Sequence, residues 1–103
     1  MNKFVLAGLL AACLAAPAAA QDISHGKALV EKNCARCHGV GASDKSPLEN
    51  APEFRTLGQR YPVDALEEAF AEGIVTGHPG MPEFTATPEQ IADIVAYLSS
   101  LQL

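Results

Sequence analysis

The sequence predicts an all-α domain of three to five helices, and three observations carry that expectation. Apolar residues recur at helical spacing along Ile23–Cys34, along Pro62–Phe70 and along Pro88–Leu101. Residues that start and stop helices stand at the ends of these stretches. Nowhere does a run of β-branched residues alternate with polar ones, as a half-buried strand would require.

The first twenty residues stand apart from the rest. Lys3 supplies a positive start, Phe4 to Ala16 is almost purely apolar, and Ala18-Ala19-Ala20 ends the segment in small residues. That is the layout of a secretory leader, too short to span a bilayer. Cleavage after Ala20 leaves one domain, residues 21–103, of 83 residues, and predicts export to the periplasm. Leu10-Ala11-Ala12-Cys13 also fits a lipobox, which would make Cys13 a lipid-bearing N-terminus. Only twelve residues precede Cys13 and a conventional cleavage site follows, so removal with the leader is the expectation.

The first helix is expected from Ile23 or Ser24 to Cys34, with Gly26, Leu29, Val30 and Ala35 on one side and Lys27, Glu31 and Lys32 outside. Residues 39–52 are rich in Gly, Ser, Asp and Pro and read as a loop. Phe54 to Leu57 suits a short helical turn. Pro62 opens a second helix through Leu66, Ala69 and Phe70, with Gly73 as the residue that ends it. Gly77 to Pro82 is irregular. The last helix carries the strongest local signal: Thr87 as N-cap, Pro88 at the first helical position and Gln90 completing a capping box. Ile91, Ile94, Val95, Leu98 and Leu101 then repeat on its inner face.

Charge is unevenly spread. After the leader, six Lys and Arg face twelve Asp and Glu; all six cations precede residue 61, whereas seven acids and no base follow it. This composition excludes nucleic acid as a partner, since that needs clustered cations. It suits either orientation toward a charged partner or ordinary solvated helix faces. A domain of this size buries a low fraction of its surface and needs a staple. Two cysteines remain once Cys13 is gone, Cys34 and Cys37, and a disulfide between them would close too short a loop to staple anything. The staple is therefore expected to be something these cysteines hold.

Cys34-Ala35-Arg36-Cys37-His38 is C-x-x-C-H, the signature of covalent haem attachment. Two thiols add to the two haem vinyl groups, and the adjacent His38 is directed at the iron. A thioredoxin-like redox pair would need a βαβ context, which is missing. A zinc site would need four ligands; Cys34, Cys37 and either His25 or His78 can be assembled on paper, but His38 is then left unexplained. A structural disulfide with a coincidental histidine is the blandest reading. A single haem c accounts for all three residues.

The second axial ligand is expected to be Met81, the only methionine downstream of the leader, in the proline-flanked loop His78-Pro79-Gly80-Met81-Pro82. A lone methionine is more often core filler, but Met81 lacks helical spacing and apolar neighbours. His78 competes for the same role. His25, in the first helix, reads as a partly exposed side chain.

With Gly26, Val30 and Cys34 spaced by four, CARCH, the Gly-Met-Pro loop and Asp93-Ile94-Val95-Ala96-Tyr97-Leu98 in the last helix, the chain resembles a class I c-type cytochrome of the small bacterial monohaem type. The resemblance covers residues 21–103. It implies the cytochrome c fold, with the first and last helices crossing tightly at Gly26; Val30 departs from the aromatic frequent at its position. It also implies a proline carbonyl that accepts the His38 ring N–H, with Pro47 the better match and Pro52 the alternative.

On this reading Leu29, Phe54, Leu57, Leu66, Phe70 and Leu98 surround the porphyrin, and electrons pass at the edge bearing Cys34 and Cys37. Arg36, Lys45, Arg55 and Arg60 are candidates for the haem propionates or for that edge. The expected function is electron transfer and not catalysis: a periplasmic carrier acting on donor and acceptor proteins, either a monomeric shuttle or a dissociable subunit of an oxidoreductase. A haem enzyme or gas sensor with a displaceable Met81 is the alternative.

Overall fold

The protein is represented by a computed structural model that describes residues 21–73 and 80–102. The leader with Cys13, and His78 in the methionine loop, lie outside the described residues. Three α-helices form the frame: α1 (Ile23–Asn33), α2 (Leu66–Ala71) and α3 (Pro88–Leu101). Short 3-10 turns at Phe54–Gln59 and Val63–Ala65 lie between α1 and α2. Among the described residues there is no strand.

The first and last helices begin where side chains supply acceptors for the first free N–H groups. Asp22 caps α1, its side chain accepting the His25 N–H at 3.0 Å. Thr87 caps α3 through the expected reciprocal pair: Gln90 N–H donates to Thr87 Oγ1 at 3.2 Å, and Thr87 N–H to Gln90 Oε1 at 2.9 Å. The second helix departs from expectation. Pro62 precedes a 3-10 turn, with Ala65 N–H bonded to the Pro62 carbonyl at 3.1 Å, and α-helix begins only at Leu66. No side chain caps this start, and the i to i+3 bonds tighten the chain there. Gly73 follows the Glu72 C-cap with φ +75°, a left-handed conformation that favours glycine.

The principal packing is between α1 and α3. A Cβ on Gly26 would collide with the Asp93 carbonyl and lie 3.0 Å from Tyr97 Cβ, so only glycine permits this approach. Beside it, Val30, Ile94 and Leu98 are each 1% exposed. Val30 thus fills a core position despite lacking the aromatic ring. Phe54, Leu57, Val63, Phe70, Ile91, Val95 and Tyr97 complete the core, with Leu29 and Leu66 half-buried against it. The end of α3 is stapled to the Phe54–Gln59 turn by Gln102, whose Nε2 donates to the Phe54 and Leu98 carbonyls at 2.9 and 2.7 Å. Its Oε1 accepts the Gly58 N–H at 2.7 Å.

Candidate functional site

The site grows from the C-terminal end of α1. Cys34 caps the helix through an N–H bond to the Val30 carbonyl, and its own carbonyl accepts N–H groups of Cys37 at 3.2 Å and His38 at 3.0 Å. The five residues of the motif therefore form one tight turn off the helix end. Both thiols are free, and Cys34, Cys37 and His38 are half-buried. Burial, reinforced by nearby Cys37, pushes the Cys34 thiol up to about 11. A thiol kept protonated at neutral pH resists adventitious oxidation.

His38 is oriented by two contacts. Its Nδ1 lies 2.8 Å from the Pro52 carbonyl oxygen, and Phe54 packs against the ring at 4.7 Å between centroids. A carbonyl only accepts, so Nδ1 carries the proton, and the Nε2 lone pair is the one offered to a metal. The partner is Pro52 and not the favoured Pro47. Leu48 N–H donates to the Cys37 carbonyl, which draws the chain after Pro47 alongside the motif. A turn from Leu48 to Ala51, closed at 3.0 Å, then brings Pro52 back to the ring. Counting residues from His38 gives no view of that turn.

The loop after His38 is held by contacts for which the sequence offered only a generic signal, an aspartate in a glycine-rich stretch. The Asp44 carboxylate accepts the Val40 and Gly41 N–H groups at 3.0 and 2.7 Å. Desolvation acts to raise the Asp44 carboxyl, but these backbone donors and the Arg55 charge outweigh it and hold it below its usual range. Arg55 Nη1 donates to the Asp44 carbonyl at 2.7 Å, so this candidate for the haem propionates is engaged with the loop. Tyr97 Oη donates to the Val40 carbonyl at 2.6 Å, tying the loop to α3. Arg36, Lys45 and Arg60 are exposed.

Met81 is 36% exposed and lies in the irregular segment before α3. His25 is partly exposed, as expected, and its ring makes a contact that the sequence did not reveal: Nδ1 lies 2.7 Å from Asp93 Oδ2. Asp93 also accepts the Asp22 N–H at 2.7 Å, and the His25 bond followed by the Asp22 bond holds its carboxyl below the usual range.

Two unbridged thiols, an imidazole with Nδ1 already engaged and packed against Phe54, and a hydrophobic core against which Cys34 packs suit a covalently held porphyrin. The arrangement defines a c-type haem domain. The chain belongs to the cytochrome c family, whose profile matches residues 23–102. It is 32% identical over 94 residues to cytochrome c-552 of Bradyrhizobium diazoefficiens, covering 91% of this chain and 88% of that protein. It is 31% identical over 81 residues to a cytochrome c-553-like protein of Synechocystis, covering 78% and 70%. It also aligns at 30% identity over 82 residues with the CcoP subunit of a cbb3-type cytochrome c oxidase from Rubrivivax gelatinosus, covering 79% of this chain but only 26% of that subunit. No solved structure matches significantly. As a cytochrome c the chain is an electron-transfer protein and not an enzyme, and its cofactor is a haem c for which Cys34-Ala35-Arg36-Cys37-His38 is the attachment motif. No described helix is long and apolar enough to cross a membrane.

Proposed function

We propose that the chain is an exported, periplasmic single-electron carrier in which Cys34 and Cys37 anchor the haem and His38 and Met81 are its axial ligands. The observation that carries this reading is the His38 Nδ1 bond to the Pro52 carbonyl at 2.8 Å. It fixes the tautomer and makes Nε2 the basic nitrogen. A haem c bound here supplies a one-electron iron couple.

The chain's own residues set the conditions for that couple. A neutral thioether from Met81, paired with the His38 imidazole in holding the iron, would favour the reduced state more than a second imidazole would. The prolines flanking the methionine loop restrict its backbone and favour retention of that ligand. Phe54 packed on the His38 ring, and the apolar core beside Cys34, would keep water from the iron, and a dry surround disfavours the extra ferric charge. With His38 and Met81 both engaged in holding the iron, no position would be left for a substrate. Electron exchange then takes place by transient contact with donor and acceptor proteins at the edge bearing Cys34 and Cys37. The match to part of CcoP supports a role beside an oxidase, and the match to free-standing small cytochromes supports a soluble shuttle. The leader composition supports export.

The test is Met81→Ala in protein matured with its haem. The reduced wild type is expected to exclude carbon monoxide at neutral pH, and the variant to bind it with a lowered reduction potential. An unchanged potential in the variant would overturn Met81 as a ligand, whereas ready binding by the wild type would favour a gas sensor.

A further inference from the structure

A bond between two loops positions a ring only as well as the loops are held together. His38 begins one loop and Pro52 ends it, and several contacts cross between their flanks. Phe54 N–H donates to the Gly39 carbonyl at 2.9 Å, and Gly39 N–H to Ser46 Oγ at 2.9 Å. Asp44 gathers the Val40 and Gly41 N–H groups, folding residues 40–44 onto themselves. Arg55, three residues beyond Pro52, closes the circuit by donating to the Asp44 carbonyl at 2.7 Å. The segment after the ring and the segment after its acceptor are thereby clamped as one unit.

We propose that Asp44 and Arg55 are positioning residues for His38, holding the Pro52 carbonyl against Nδ1 and so setting how electron-rich the imidazole is toward the iron. The inference rests on the reading of His38 as an axial ligand. A well-aligned Nδ1–H bond raises the basicity of a metal-bound histidine. A more basic histidine favours the ferric state, so loosening the clamp shifts the redox equilibrium toward the reduced form. The rival role for Arg55, a cation acting through space near the haem, predicts the opposite sign. Loss of a nearby positive charge makes ferric iron easier to hold.

Arg55→Met keeps the apolar stem while removing both charge and donor, and Asp44→Asn keeps one acceptor oxygen. Haem content of each purified protein is first measured by alkaline pyridine absorbance. The redox equilibrium is then measured against a fixed mediator, and solvent exchange of the His38 Nδ1 proton by NMR. Arg55→Met is expected to shift the equilibrium toward the reduced form on the order of threefold, the weight of a weakened neutral hydrogen bond, and to speed Nδ1 proton exchange. Asp44→Asn is expected to speed exchange as well, which keeps the test valid should Arg55→Met fail to fold. A shift toward the oxidised form in Arg55→Met would assign Arg55 to through-space charge and overturn the clamp. Unchanged exchange in Asp44→Asn, with full haem content, would overturn it too. A wild type without haem would overturn the reading of His38 and this inference together.

Discussion

The carboxylate of Asp93, in the second turn of α3, receives both the Asp22 N–H and the His25 ring nitrogen, and it shows what single residues contribute. His25 is 48% exposed and Asp93 14%, so the pair sits at the margin of the helix crossing. Because the Asp93 carboxyl is held below its usual range, its contribution is complete above the ordinary carboxylate range near pH ~4 and is lost as pH falls through the folded value. Asp93→Asn is therefore expected to be less stable than wild type at pH 7, with the gap closing in acid, as read by urea unfolding across that range. At the same crossing, Gly26→Ala must force the helices apart, because its Cβ meets the rigid Asp93 backbone. We expect a loss of about 2–3 kcal/mol in the same assay, the usual cost of overpacking. The need for a small residue at Gly26 was legible only through the family resemblance, and the His25–Asp93 pair was not legible at all. Both depend on where one helix passes over another, and nothing within ten residues of either position encodes that.

At the scale of elements, legibility followed locality. The capping box of α3 lies within four residues, Thr87 to Gln90, and the sequence displays it whole. Thr87→Ala is expected to cost about 1 kcal/mol and to lower Tm by roughly 4–8 °C in a domain of this size, as measured by circular dichroism. The start of α2 was less legible. Pro62 favours a helix start by fixing φ, but without a side-chain cap the chain turns first through Val63–Ala65 with tighter bonds. The choice of Pro52 over Pro47 shows the same boundary. Both prolines lie in a loop that sequence marks as irregular, and only the bonds from Leu48 to Cys37 and from Ala51 to Leu48 decide which carbonyl faces His38.

For the molecule as a whole, the core is small and the thiols sit beside it without crosslinking anything. A porphyrin held by Cys34 and Cys37 would add the apolar contact that so small a core lacks. Cys34→Ser combined with Cys37→Ser is expected to leave a largely unfolded chain by far-ultraviolet circular dichroism; a cooperative thermal transition would contradict this. The all-α class was legible because helical periodicity repeats over many residues, whereas the arrangement of the helices is a property of contacts distant in sequence. The Gly26 crossing carries a consequence for biosynthesis. The surface that α1 offers at Gly26 and Val30 is completed by residues from Asp93 to Leu98, far along the chain from α1. A chain still emerging from the ribosome has nothing to close against that surface until α3 has been made, so cooperative folding waits for α3.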